Sequence, residues 1–242
     1  PATRSLESSK RPVPRSPTCT PAIASVSGTS RRRVSTAPSA SGAPKPGLVG
    51  GQPIVFPLIG DYAYTMNYGD PRGQGAHEGI DIEHVPWRTP VVAAESGTVK
   101  WWTTSWRAGC MLYLYGKSGT TYLYIHLNND LTVASEDKGG CKAGISYAVP
   151  NGAKVTAGQQ IAWSGDSGDA EGNFHLHFEV HPDDGSAVNP YPYLNSAERL
   201  LFMLGALTSE SGGQITPLGR RMMDLPVHPR LARLLIEAEP WE

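Results

Sequence analysis

The chain has 242 residues, 39% of them hydrophobic, with 21 Lys and Arg against 22 Asp and Glu and a formal net charge of −1. That balance excludes a strongly basic nucleic-acid surface and a highly charged solvating chain, while the length allows one substantial core with appendages. No apolar run approaches the roughly 20 residues that a membrane-spanning helix needs, whereas 27 Gly and 21 Pro suit a turn-rich β protein.

Residues 1–53 contain no aromatic side chain, are crowded with Ser, Pro, Thr and Ala, and carry Arg31, Arg32 and Arg33 in a row. Such a segment cannot bury enough apolar surface to offset its ordering entropy, so residues 1–51 are expected to be a disordered, mildly basic linker. The chain opens at Pro1 with no charged-then-apolar leader, and a signal peptide is expected to be absent or already removed. From Gly51 to about Asn195 the pattern is β. Val91 to Ala94 and Thr98 to Trp102 read as strands about the turn Glu95-Ser96-Gly97. Cys110 to Tyr115 and Thr120 to Leu127 flank Gly116-Lys117-Ser118-Gly119, a hairpin signal. Ala153 to Thr156 and Gln160 to Ser164 follow the turn Asn151-Gly152, and a strand over residues 174–181 closes the set. Beyond Asn195 the period changes to that of helices, over Ala197 to Leu207 and His228 to Ala238, with Pro229 near the second start. The expected division is a linker at 1–51, a β domain at 52–195 and a helical tail at 196–242.

The strand Phe174-His175-Leu176-His177-Phe178-Glu179-Val180-His181 alternates strictly. Phe174, Leu176, Phe178 and Val180 therefore share one face, and His175, His177, Glu179 and His181 share the other. Two imidazoles side by side invite a metal site, although a polar outer face gives the same alternation. His77-Glu78-Gly79-Ile80-Asp81 adds an imidazole and a carboxylate four positions apart. A zincin-type helix is rejected here, because Gly73, Gly75 and Gly79 surround the segment and without a helix nothing places Glu78 over a metal. His77, Asp81 and one His of the strand would instead give two nitrogen ligands, one oxygen ligand and an open position, the donor set of catalytic zinc. Tyr122-Leu123-Tyr124-Ile125-His126 supplies a further imidazole, expected on the strand face of Tyr122 and Tyr124. His84 and His181 are read as surface or supporting groups.

The segments Gly75-Ala76-His77-Glu78-Gly79-Ile80-Asp81-Ile82, Tyr124-Ile125-His126-Leu127 and His175-Leu176-His177-Phe178-Glu179 resemble, in order, the three signature segments of lysostaphin-type (LytM-like) zinc endopeptidases. The resemblance covers about residues 52–195. It implies a mostly antiparallel β-sheet domain with its site in a narrow groove. It further implies Zn²⁺ on His77, Asp81 and His177, with His126 and His175 as the unliganded catalytic pair. The implied activity is hydrolysis of peptide bonds in bacterial peptidoglycan, outside the cytoplasm or in the cell envelope. Its stem or cross-bridge peptides would be the partners, with no nucleic acid and no transmembrane segment expected. The alternative is a catalytically silent domain of the same type that binds the wall or regulates another hydrolase. In an extracellular setting Cys110 and Cys141 are expected to form a disulfide that pins the 128–150 segment, leaving Cys19 unpaired, with two free thiols as the alternative.

Two other motifs are weighed. Gly116-Lys117-Ser118 imitates the end of a phosphate-binding loop, but Met111 stands where that loop needs glycine. The tail, through Leu204-Gly205-Ala206-Leu207, Thr216-Pro217-Leu218-Gly219-Arg220 and Leu225 to Arg233, resembles a short region beyond the motor of DEAH-type ATP-dependent helicases. No ATP-binding motif accompanies it, so no activity is assigned to the tail.

Overall fold

A computed structural model describes residues 47–49, 51–73, 75–102, 105–134, 136–210, 213–225 and 227–238. Cys19, the Arg31 to Arg33 run and nearly all of the expected linker lie outside the described residues. The strands are β1 (Ala63–Tyr64), β2 (Pro71–Arg72), β3 (Gly75–Ala76), β4 (Ile80–Glu83), β5 (Pro90–Val92), β6 (Gly97–Trp102), β7 (Cys110–Gly116), β8 (Thr121–Leu127), β9 (Lys154–Val155), β10 (Gln160–Trp163) and β11 (Leu176–His181). Seven form one sheet in the order β1-β4-β11-β8-β7-β6-β9, and every pairing in it is antiparallel. β5 pairs with β10, and β2 with β3, in two small ribbons. The chain is thus mainly β, as its turn-rich composition and short alternating runs imply.

Alternation along β4, β8 and β11 sorts their side chains between a core and a groove. Ile80, Ile82, Tyr122, Tyr124, Leu176, Phe178 and Val180 all lie in the main apolar core. Val91 of β5 and Ile161 of β10 belong to the same core. The Tyr124 hydroxyl accepts a hydrogen bond from the Ala94 amide at 2.9 Å, so the ring stays inside without an orphaned polar atom. Gly116 to Gly119 forms the expected hairpin end, with the Gly116 amide donating to the Thr120 carbonyl at 2.8 Å. That removes the phosphate-loop reading.

The long segment 128–150 is fastened at several points. Cys110 and Cys141 are joined by a disulfide that ties it to the start of β7. Asn128 is fully buried, accepting from Trp87 Nε1 at 2.9 Å and donating to the Asp130 and Ile145 carbonyls at 3.0 and 3.2 Å. Asp130 is buried as well; its Oδ1 accepts from the Asp137 amide at 2.8 Å, and its side chain meets that of Asp166. Burial, with the Asp166 carboxyl beside it, raises the Asp130 acid above the usual carboxylate range. The folded state therefore holds a proton that the unfolded chain releases near pH 4. The stability linked to it is complete below that pH and is lost as pH rises through the raised value. Urea midpoints measured across pH 4 to 7 should fall through this window in the parent and flatten in Asp130→Asn, whose amide can donate to Asp166 at any pH. An unchanged pH profile in the variant would remove this account of the pair.

Three helices follow, α1 (Tyr191–Met203), α2 (Pro217–Met223) and α3 (Pro229–Glu237). α1 begins six residues before the expected Ala197, because Pro192 falls in its first turn, where no amide donor is required. It runs through the 195/196 division, with Leu194 and Ala197 in the main core and buried Glu198 accepting from Tyr62 and Tyr64 hydroxyls at 3.1 and 2.7 Å. α2 is absent from the sequence expectations. Thr216 caps it by accepting from the Gly219 amide. α3 buries Ala232 and Ile236, while Leu231, Leu234 and Leu235 stay exposed. No helix among the described residues is long and apolar enough to cross a membrane.

Candidate metal centre and groove

The cluster is assembled by strand register. His177 of β11 lies directly opposite Asp81 of β4 on one side and Ile125 of β8 on the other. Because Ile80 and Ile82 face the core, Asp81 faces the groove, where His177 meets it. His77 is delivered by the segment between β3 and β4, anchored by its amide donating to the Asp70 carbonyl at 2.9 Å. His77 Nε2 lies 3.1 Å from Asp81 Oδ1 and 2.9 Å from His177 Nδ1, and His177 Nδ1 lies 3.0 Å from the same carboxylate oxygen. One donor atom from each of these three residues lies within 4.8 Å of the others.

The remaining nitrogen of each imidazole is committed elsewhere. His77 Nδ1 donates to the Asn67 carbonyl at 2.8 Å, and His177 Nε2 donates to Glu179 Oε1 at 2.8 Å. His126 Nδ1 donates to the Ser167 carbonyl and His175 Nδ1 to the Asn173 carbonyl, each at 2.8 Å. Four rings are thereby oriented with one nitrogen each turned toward a shared space. The His126 and His175 ring centres are 4.8 Å apart, and His175 Nε2 lies 3.8 Å from Asp81 Oδ1. The donors fit a divalent ion. Two imidazole nitrogens, one carboxylate oxygen and room for a fourth partner suit zinc better than the all-oxygen sites of calcium or magnesium.

Charge follows the same plan. Burial opposes the Asp81 carboxylate, but hydrogen bonds from His177 and His77 outweigh it and hold its acid far below the usual range. Burial also opposes a charge on His177, and its bonds to Asp81 and Glu179 overcome that and raise it. His126 goes the other way. Burial, helped by neighbouring His175, pushes it down to about 4, so it is neutral at pH 7 with a lone pair on Nε2.

His126 corrects one expectation. It does not share the face of Tyr122 and Tyr124, which lie in the core. Between the pairs Cys110↔Leu127 and Leu112↔Tyr124, two residues of β8, Ile125 and His126, oppose Met111 alone. This β-bulge, with His126 at φ 60°, turns its ring into the groove and returns Leu127 to the core. Left-handed backbone at a non-glycine residue costs roughly 1 to 3 kcal/mol and concentrates at functional positions.

Arg72 is not among the sequence candidates, and Glu179 enters them only as a member of the strand face that carries His175 and His177. Arg72 Nη2 reaches Asp81 Oδ2 at 2.7 Å, leaving Oδ1 toward the histidines. His181, read as a surface or supporting group, contacts Glu179, whereas His84 is exposed. The alternation along β11 carried the Glu179 and His181 contacts; nothing in the sequence pointed to Arg72.

Gly79 makes the packing of His177 available. A Cβ at Gly79 would stand 2.6 Å from His177 Nε2 and 2.7 Å from the Phe178 carbonyl oxygen. Gly79→Ala is therefore expected to displace the ring, weaken metal uptake and cost about 1–3 kcal/mol of stability through overpacking. Metal content and a thermal melt of the variant check this; wild-type values for both would show that the ring has room.

Comparison with known proteins follows the two parts of the chain. Over 167 residues it is 30% identical to the L-Ala–D-Glu endopeptidase of Bacillus subtilis, a match covering 62% of this chain and 45% of that protein. The chain thus spans less than half of that relative's length. It is 30% identical to the catalytic domain of the antimicrobial peptidase lysostaphin from Staphylococcus simulans, covering 55% of this chain and 92% of that domain, with a TM-score of 0.41. Residues 197–227 match the family described as helicase associated domain (HA2), winged-helix. A 44-residue stretch is 52% identical to the ATP-dependent RNA helicase HrpA of Escherichia coli, covering 17% of this chain and 3% of that protein.

Proposed function

We propose, from a β region that belongs to the lysostaphin-type (LytM-like) peptidase family, that this chain is a zinc-dependent endopeptidase acting on peptidoglycan peptides in the cell envelope or outside the cell. The observation that carries the reading is the orientation of four imidazoles, each with one nitrogen tied back and the other turned to one carboxylate-bearing space. His77 Nε2, Asp81 Oδ1 and His177 Nδ1 would hold the metal. When bound there, zinc supplies a Lewis acid that polarises a peptide carbonyl and lowers the pKa of water toward ~7.

The chain's own groups do the rest. Neutral His126, with Nε2 free and Nδ1 fixed on Ser167, accepts the proton released as water attacks the peptide carbon. His175, fixed through Nδ1 on the Asn173 carbonyl, stands beside it and, with a proton also on Nε2, donates to the oxygen that gains charge. The proton then passes to the amine nitrogen as the peptide C–N bond breaks, leaving a carboxylate and a free amine with no covalent enzyme intermediate. The peptidase region is proposed as residues 52–195, completed structurally by the rest of α1. Nothing supports an activity for the helicase-like tail.

The test is metal analysis of the purified chain together with digestion of purified peptidoglycan, following newly exposed amino groups. One zinc per chain and metal-dependent release of amines are expected. A zinc-loaded chain that binds the wall but releases none would favour the silent, wall-binding reading.

A further inference from the structure

Glu179 has no role in the proton transfers above, yet it is 6% exposed and directly adjoins the cluster. A buried carboxylate is costly unless its charge is matched. Here it is matched on both oxygens, with His177 Nε2 at 2.8 Å from Oε1 and His181 Nε2 at 2.7 Å from Oε2. The other nitrogen of His181 lies 2.8 Å from the Gly185 carbonyl oxygen. Both ring nitrogens of His181 therefore face acceptors, an arrangement that favours a proton on each. Residues 177, 179 and 181 follow at intervals of two along β11, so one strand face carries the whole row toward Asp81.

Resting on the metal-site reading above, we propose that Glu179, held by His181, is a positioning residue that fixes the His177 ring and tautomer so that Nδ1 is the ligand nitrogen. Its carboxylate accepts a hydrogen bond from Nε2–H, which leaves the Nδ1 lone pair directed at His77 and Asp81. The ring then cannot turn over without breaking that bond and leaving Glu179 half-matched in the interior. The same contact makes Nδ1 a stronger donor, because a carboxylate behind an imidazole increases its basicity. His181, itself fixed on the Gly185 carbonyl, keeps Glu179 from turning away toward solvent.

The experiment measures the zinc dissociation constant of the full chain by competition with a chromophoric chelator, in the parent, Glu179→Gln, Glu179→Asp and His181→Gln. A neutral amide in place of the carboxylate should weaken zinc roughly 10–100-fold, the usual cost of losing such a partner. Glu179→Asp should recover part of that loss, and His181→Gln, which keeps a donor but loses the charge, should fall between. Nitrogen-15 NMR of the cadmium-loaded protein should show His177 bound through Nδ1 in the parent and a mixture of ring nitrogens in Glu179→Gln. Parent-like affinity and Nδ1 ligation in a folded Glu179→Gln would overturn the inference while leaving the zinc site intact. A parent chain that takes up no zinc would instead overturn the reading beneath it. If Glu179→Gln does not fold, His181→Gln decides alone, and parent-like zinc affinity there overturns the proposal.

Discussion

Alanine at His177 is expected to take zinc uptake from one ion per chain to none, with activity lost alongside it. Of three proposed donors only His77 Nε2 and Asp81 Oδ1 would remain, and these already lie 3.1 Å apart on one side of the space. Two protein ligands hold zinc poorly, and a lost direct ligand should cost more than the roughly 10–100-fold typical of a supporting partner. The substitution also strands charge. His177 is the hydrogen-bonded link between Asp81 and Glu179, so its removal leaves both buried carboxylates without their shared partner. Lower stability of the metal-free variant should accompany the metal loss, measured by metal analysis after dialysis and by thermal melting. A folded His177→Ala that retains one zinc per chain would show that this ring is not a ligand.

Much of this arrangement is legible in the chain, for identifiable reasons. The period-two pattern of residues 174–181 separates Leu176, Phe178 and Val180, which enter the core, from His177 and Glu179, which do not. Spacing alone also brings His77 and Asp81 near each other, and composition makes Cys110 and Cys141 the natural disulfide pair of the β domain. The illegible parts depend on backbone from distant segments. Each ring of His77, His126 and His175 is oriented by a main-chain carbonyl, those of Asn67, Ser167 and Asn173, and a carbonyl carries no residue signature. The bulge at His126 is hidden for a related reason. It is a mismatch of two residues against one between β7 and β8, visible only once the register is known. At the head of α1 the change of period seen beyond Asn195 marks the start six residues late, because Pro192 in the first helical turn sacrifices no hydrogen bond. The exposed Leu231, Leu234 and Leu235 of α3 show that helical periodicity identified an element without identifying a buried face.

Removing the His126 ring should have the opposite signature to removing His177: zinc retained, turnover lost. No atom of His126 belongs to the three-residue donor set, so His126→Ala should still take up one ion per chain. Loss of a general acid or base typically costs 10²–10⁴-fold, which is the fall expected in kcat with KM little changed. The bulge makes a paired control available. His126 sits at φ 60°, a region that histidine tolerates better than alanine and glycine enters without penalty. His126→Ala should therefore be less stable than the parent, whereas His126→Gly should recover part of that deficit because glycine relieves the backbone. Both lack the imidazole that Ser167 holds in place, so both should be equally inactive. Activity that returned with stability in the glycine variant would mean that the position matters for folding rather than for proton transfer. Zinc lost equally from His126→Ala and His177→Ala would place His126 among the ligands and dissolve the separation of roles.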